Sequence, residues 1–469
     1  HGTDPTNADS DGDGYKDGIE VVSGSDPNDA GSAPAFPTLD DLLISEFMAD
    51  NNNTLIDSDG DSPDWIELWN PTSSPVNLAG HYLTDNRQVP NKWALPSIIL
   101  RPNQFLVIFA SGKDRIGPGA ELHTDFQLDK SPGSHLALSR ENDAGRFLTI
   151  SVFTLYPKQV EDVSFGAYGD ESPLSVGFFQ NPTPGSANTS GAVDGFVADT
   201  SFTINRGLYT NPFTTTITTT TPGATLIYTI DGTDPSSNNG TRVTPPDNVT
   251  PPSTDIEVNA TTTLRTMAVK AGFQSTNIDT HTYIFPEDIL QQSNNSVPAH
   301  ANWGHAGPDY TMDPEIVNHS NAEVRPVSED FLRVPTISLV MDWNLMFGNG
   351  GIYISGEGVD RPTSIEYINP EGNTIAPNSK RGFQVDGTVR IVGGSSTSRW
   401  KSDKLSMRLK FSPDLRYKLF GKERTDRFDT LILDHRLNNV WHYNRGSDQR
   451  GRAQYTHDQF PADLHNLMG

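Results

Sequence analysis

Cysteine is absent from all 469 residues of this chain. No disulfide can staple its domains, and thiol chemistry and Cys-ligated metal sites are excluded. Long apolar runs are missing as well: none approaches the ~20 residues of a membrane-spanning helix, so direct membrane insertion is not expected. A signal-peptide pattern is lacking, and the chain opens at His1 in what reads as the middle of a repeat, which predicts that both ends continue in a longer protein. Basic residues are scarce where acids are dense: residues 1–64 hold sixteen Asp or Glu and a single Lys, Lys16. Over the whole chain 59 acidic residues stand against 34 basic ones, a net charge of −25, and no nucleic-acid partner is expected.

The remaining composition is that of a string of small β-domains. A chain this long exceeds one hydrophobic core and suggests about three or four domains. Apolar residues make up 34%, Gly (40) and Pro (34) are plentiful, and Thr is conspicuous, which suits short strands joined by many turns. Charge is segregated: residues 380–452 hold 17 of the 34 Lys and Arg against eight acids, so the two ends are built for different tasks.

At the acidic end, Asp9, Asp11, Asp13, Asp17 and Glu20 stand at positions 1, 3, 5, 9 and 12 of a loop with Gly14 at position 6. This is the oxygen-ligand spacing of an EF-hand, in which Tyr15 offers its backbone carbonyl and Glu20 a bidentate carboxylate to Ca²⁺. The phrase Gly2-Thr-Asp4-Pro5 returns as Gly24-Ser-Asp26-Pro27, a period of 22 residues, so the loop belongs to a tandem repeat. Residues 1–33 resemble thrombospondin type 3 repeats. The resemblance implies bound calcium, with Asp4, Asp26 or Asp29 joining neighbouring ions.

Residues 38–190 carry strand-length apolar runs at Leu42–Phe47, Trp65–Trp69, Phe105–Phe109 and Leu136–Leu138, and end in the turn-rich Asn181-Pro-Thr-Pro-Gly-Ser-Ala-Asn188. This order resembles the bacterial lamin-tail domain, which implies an immunoglobulin-like sandwich serving as a spacer or interaction module without catalytic residues. Within it, Asp57, Asp59, Asp61 and Asp64 are either a second cation site or a solvated, turn-capping acidic loop; Gly60 at position 4 departs from EF-hand geometry.

Residues 196–286 contain a Thr-rich run, Thr214–Thr221, that reads as strand because Thr is β-branched. Leu226–Ile230, Leu264–Val269 and Thr282–Phe285 supply further strands. The phrase Thr221-Pro-Gly-Ala-Thr-Leu-Ile-Tyr228-Thr-Ile-Asp-Gly-Thr-Asp-Pro235 resembles the small β-domain appended to bacterial chitobiases. A spacer is the expected role, since no stripe of exposed aromatics marks a sugar platform there.

In residues 287–469, a polar arm over Asp288–Arg333 precedes apolar runs at Val334–Val340, Gly351–Ile354, Leu405–Phe411 and Phe428–Leu433, each read as a strand; a helix is expected to begin over Asp458–Met468. Tyr310-Thr-Met312, Pro335-Thr-Ile-Ser, Gly351-Ile-Tyr353, Ser364-Ile-Glu366-Tyr, Gly393-Gly-Ser-Ser396, Arg399-Trp-Lys401 and Tyr417-Lys-Leu-Phe420, in that order, resemble the N-terminal half of the CotH-type spore-coat kinase family. That implies a β-rich kinase-like fold using ATP and Mg²⁺, with the catalytic aspartates downstream of Gly469. Arg399, Lys401, Lys404 and Arg408 are either a nucleotide-phosphate face or solvated strand residues. No P-loop, HExxH or GxSxG is present.

The expected fold is therefore mainly β and multidomain. The expected protein is a secreted, calcium-binding, bacterial cell-surface or extracellular component with a structural or adhesive role. Its expected partners are other extracellular proteins, surface polysaccharide or further copies of itself. The alternative is a secreted CotH-type kinase.

Overall fold

The computed structural model describes residues 39–117, 119–142, 145–170, 174–188, 191–294, 311–312, 314–318, 326–356, 358–370, 382–393, 405–419 and 425–434, with Gly2, Asn7, Ser10, Asp11, Asp17 and residues 27–29. The chain is mainly β and divides into two compact units: residues 1–197 with 247–249 and 270–274, and the remainder.

In the first unit, two antiparallel sheets face each other. One runs, in hydrogen-bonded order, Ser175–Phe179, Ser164–Tyr168, Leu43–Met48, Asp64–Trp69, Phe105–Ala110; the other runs Trp93–Ala94, His81–Thr84, Ser134–Glu141, Phe147–Tyr156. Alternation places Leu83, Leu136, Leu138 and Phe153 of the second sheet in the same core as Leu43, Phe47, Ile66 and Ile108 of the first. Phe47 is the hinge of this packing. Its ring lies 5.2 Å from Phe153, 4.9 Å from Tyr156 and 5.9 Å from Phe165, and all four are buried. Each such ring contributes about 1.5–3 kcal/mol by leaving water. Tyr156 keeps its hydroxyl satisfied by donating to the Asp129 carbonyl at 2.7 Å.

The second unit contains two β-layers and a further sheet. Ser201–Phe202, Phe213–Thr218 and Ser253–Val258 form one layer; Gly207–Leu208, Asp279–Ile284, Thr262–Val269, Thr225–Thr229 and Thr241–Val243 form the other. The Thr-rich run is thus strand, as its β-branching predicts. Beyond it, Thr336–Val340, Arg361–Ile368, Phe383–Ile391, Met407–Arg416 and Arg427–Leu433 make a five-stranded antiparallel sheet in sequence order, with Ile365, Val389, Ile391, Leu409 and Phe411 in its core. Glu366 is buried on the opposite face, where Arg206 Nε donates to it at 2.9 Å and the Thr282 N–H at 3.0 Å, so this sheet is locked to the β-layers of its own unit.

Two readings from the sequence change. Gly351–Ile354 is not a strand: Ile352–Ser355 is a short helix opening at Gly351, and its adjacent residues Ile352 and Tyr353 are both buried. A short apolar run carries no periodicity that separates helix from strand. The arm after Pro286 also holds helical turns, at Pro286–Gln291, Pro314–Val317 and Val327–Phe331. The helix expected over 458–468 lies outside the described residues.

Candidate functional site

In the N-terminal repeat, Asp11, Asp17 and Asp29 are among the described residues, whereas Asp4, Asp9, Asp13, Tyr15, Glu20 and Asp26 lie outside them. The carboxylate of Asp17 is held by Ser10, whose N–H and hydroxyl each donate at 2.6 Å to one of its oxygens. Position 9 of a calcium loop usually reaches the ion through water, so a carboxylate fixed in this way suits that position. The donor set of the loop, all oxygen and mostly anionic, fits a hard cation.

The acidic loop of the sandwich is better defined. Asp57 Oδ1 accepts from the backbone N–H groups of Asp59 (3.0 Å) and Asp61 (2.9 Å), which curls the loop so that three carboxylates converge. Into their centre comes Lys113, with Nζ at 2.5 Å from Asp57, 2.7 Å from Asp59 and 2.9 Å from Asp61. Arg115 adds a second cation on Asp59 at 2.8 Å. Hydrogen bonds from Lys113 and Arg115 hold Asp59 down to about 2. Burial acts to raise Asp57, but Lys113 and the loop N–H groups outweigh it and keep its carboxyl low. Asp64 stands apart: it opens a strand, lies near Asn51, and burial pushes it up to about 6. The place a divalent cation would take among Asp57, Asp59 and Asp61 is therefore filled by an ammonium group.

A pair of acids not singled out from the sequence sits deeper. Glu46 and Glu67 are fully buried and stand opposite each other on neighbouring strands. Glu67 accepts from the Ser45 hydroxyl at 2.7 Å and from the Gly185 N–H. Glu46 accepts from the Ser164 hydroxyl, and from Thr183 through its N–H at 3.1 Å and its hydroxyl at 3.0 Å. Together they clamp the closing segment 183–188, and Asn188 completes the clamp by donating to the carbonyls of Ser45 (2.9 Å) and Ala167 (2.8 Å). Burial raises both carboxyls, Glu67 to about 7, and the charge of Glu46 adds to that rise. The signal was visible in the sequence as an acid inside each of two apolar runs, Ile44-Ser-Glu46-Phe and Trp65-Ile-Glu67-Leu.

At the basic end, Arg399, Lys401 and Lys404 lie outside the described residues. Arg408 stands on the face away from the core, donates to Asp360 at 3.2 Å and shares that acid with Arg390 at 3.6 Å.

Three segments match known families. Residues 9–30 match the Bacterial TSP3 repeat, residues 37–150 the Lamin Tail Domain, and residues 204–280 the Chitobiase/beta-hexosaminidase C-terminal domain. The strands Ser164–Tyr168 and Ser175–Phe179, which complete the first sheet, lie past the lamin-tail match. No curated protein matches the chain. A solved structure described as "Biofilm associated protein - BSP domain" aligns at 17% identity over 60% of this chain and 34% of that one. Its TM-score of 0.14 is far below that of a shared fold, and the chain spans about a third of its length. The chain is thus a mainly β, multidomain protein of bacterial type, joining segments similar to a TSP3 repeat, a lamin tail domain and a chitobiase C-terminal domain.

Proposed function

We propose that this chain is part of a secreted bacterial surface protein in which a calcium-stiffened repeat and β-modules act as structural or adhesive spacers. The observation that carries this reading is the TSP3-type segment, residues 9–30, with five carboxylates at calcium-ligand spacing. So many like charges in one loop repel unless a cation neutralises them. Asp9, Asp11, Asp13 and Glu20 ligate through side chains, Asp17 through its carboxylate by way of a water, and Tyr15 through its carbonyl; Asp4, Asp26 and Asp29 serve neighbouring ions. In the sandwich loop, Lys113 supplies the neutralisation and no calcium is required. Surface proteins and polysaccharide are the partners that such a role requires. Isothermal titration with Ca²⁺ tests the reading: heat is expected, weakened by Asp11→Ala and Glu20→Ala, along with protection of residues 4–29 from proteolysis that a chelator abolishes. Absence of both defeats it.

A second reading is supported by the ordered CotH-type landmarks, two of which fall on the five-stranded sheet: Pro335-Thr-Ile-Ser runs into its first strand and Ser364-Ile-Glu366 lies on its second. In that reading ATP with Mg²⁺ is the cofactor, Arg399, Lys401 and Lys404 meet phosphate, and the carboxylates that hold metal lie beyond residue 469. Labelled ATP with Mg²⁺ and an acceptor protein is expected to give no transfer from this chain. Transfer abolished by Lys404→Ala would place the catalytic apparatus within it.

A further inference from the structure

We propose that a cleft on the outer face of the sandwich's second sheet binds an acidic sugar residue, a uronate within a polysaccharide. It deepens the adhesive reading by giving it a ligand and rests on that reading only for its setting.

The cleft arises from strand alternation. Leu83, Leu136, Leu138 and Phe153 point into the core, so Thr84, His135, Ala137, Ser139, Val152 and Thr154 project from the opposite face. An outer face of this kind is normally wet, yet Thr84, Ala137, Ser139 and Thr154 are only 1, 3, 0 and 2% exposed. The cover is the loop that follows Thr84. The Thr84 hydroxyl donates to the Asn86 carbonyl at 3.0 Å and accepts from the Asn86 N–H at 3.0 Å, and Ser139 donates to the Pro90 carbonyl. Between loop and sheet remains a cleft of about 370 Å³ to which Arg87, His135, Thr149, Val152 and Thr154 contribute. That volume lies at the small end of the ~300–1,000 Å³ usual for small-molecule sites.

Its chemistry selects the ligand. Asp85, at the start of the loop, is paired with Lys92 at 2.6 Å, whereas Arg87 has no ion pair among the described residues. Burial, then the charge of Arg87, pushes His135 down to about 4, so the imidazole is neutral at physiological pH and Arg87 is left as the cleft's cation. A guanidinium fork is matched by a carboxylate, which it binds through two parallel hydrogen bonds. Around it stand hydroxyls, Thr149 and Thr154, with His135 bonded to Thr154 at 3.2 Å, while Ala137 and Val152 offer small apolar contacts. Hydroxyl partners beside a narrow apolar floor suit a pyranose, which presents hydroxyls at its rim and C–H bonds on its face. An aromatic shoulder extends the same face: Tyr82, register partner of Ser139, meets Phe147 edge-on at 5.2 Å, a surface on which the next sugar of a chain can lie. An acidic peptide is disfavoured, because the cleft opens on a sheet face rather than an edge and offers no backbone ladder to extend.

Isothermal titration of the full chain with oligogalacturonate tests the site, with neutral oligoglucoside, acetate, inorganic phosphate and an acidic peptide as parallel arms. Saturation binding of the uronate oligomer is expected, at least tenfold tighter than any other arm. Arg87→Ala, at an exposed position where folding is not at stake, is expected to weaken it at least tenfold, and Arg87→Lys to restore only part. No uronate binding, undiminished binding by Arg87→Ala, or equal binding of phosphate or the peptide would overturn the assignment. Because the calcium titration is separate, either reading can fail without the other.

Discussion

Raising the pH from about 5 to about 8 is expected to loosen the sandwich, with Glu67 as the principal cause. Its carboxyl sits at about 7 in the folded chain against an ordinary 4.5, because it is buried and faces Glu46. The folded state therefore holds the proton more tightly than the unfolded one. The stabilisation is complete below about pH 4.5, declines as pH rises and is lost once pH passes about 7. A shift of that size corresponds to about 3 kcal/mol. Burial moves Glu46 in the same direction, so its ionisation adds to the loss. At ~2–4 °C per kcal/mol for a domain of this size, the transition containing the sandwich falls by roughly 6–12 °C across the window. Calorimetry of the full chain measures it, and Glu67→Gln isolates the cause: the amide retains an acceptor for the Gly185 N–H but cannot ionise, so the decline should flatten. Parallel pH curves for the parent and Glu67→Gln would refute the argument, since the loss would then belong to other carboxylates.

Lys113→Met removes the ammonium group from Asp57, Asp59 and Asp61; thermal stability should fall and Ca²⁺ should restore it, a response at this transition that the parent lacks. A variant no more sensitive to Ca²⁺ than the parent would show that the three carboxylates do not form a cation cage. Gly166→Ala is expected to cost about 2–3 kcal/mol by chemical denaturation, because its Cβ would lie 2.2 Å from the Ser45 carbonyl oxygen across the strand pair, where only backbone movement makes room. Glu366→Ala strands the Arg206 guanidinium in a nearly buried position and should cost about 3–5 kcal/mol in the second unit, read from a lower denaturant midpoint at an unchanged slope.

Local patterns were legible in the sequence and distant ones were not. The calcium spacing of residues 9–20 lies within one loop, and the runs Leu42–Phe47, Trp65–Trp69 and Phe105–Phe109 are dense enough in apolar residues to declare themselves strands. Phe147–Tyr156 and Phe383–Ile391 are strands as well; the first, with seven apolar residues of ten, was as legible as the others though not singled out, whereas Asp386 and Gly387 interrupt the pattern of the second. Asp57, Asp59 and Asp61 could be grouped by spacing, yet the side chain that decides their state, Lys113, is more than fifty residues away. Glu67 and Glu46 reach Gly185 and Thr183, 118 and 137 residues further on, in a segment whose Pro and Gly content announced a boundary and nothing about what holds it. The cleft was hidden for the same reason: alternation places Thr84 and Ser139 on an outer face, and only the fold of loop 85–90 turns that face into an open cleft.

A chain without cysteine must tie distant segments together by other means, and here buried acids do so. Glu67 reaches Gly185, Glu46 reaches Thr183, Asp57 reaches Lys113 and Glu366 reaches Arg206, spans of 118, 137, 56 and 160 residues. By loop entropy, a disulfide across such spans would contribute about 4–5 kcal/mol regardless of pH. A hydrogen bond to a charged group contributes about 1.5–3 kcal/mol, but the acid must give up water to make it, and the balance depends on whether that acid carries a proton or faces a cation. Asp57 faces the Lys113 ammonium, which keeps its carboxyl low and ionised through neutral pH, and Glu366 is paired with Arg206. Glu46 and Glu67 face each other and, among the described residues, accept from hydroxyls and backbone N–H groups with no cation, so their clamp on segment 183–188 is expected to give way first as the medium turns alkaline. That segment closes the sandwich, so the pH-sensitive clamp acts at the C-terminal end of the sandwich itself.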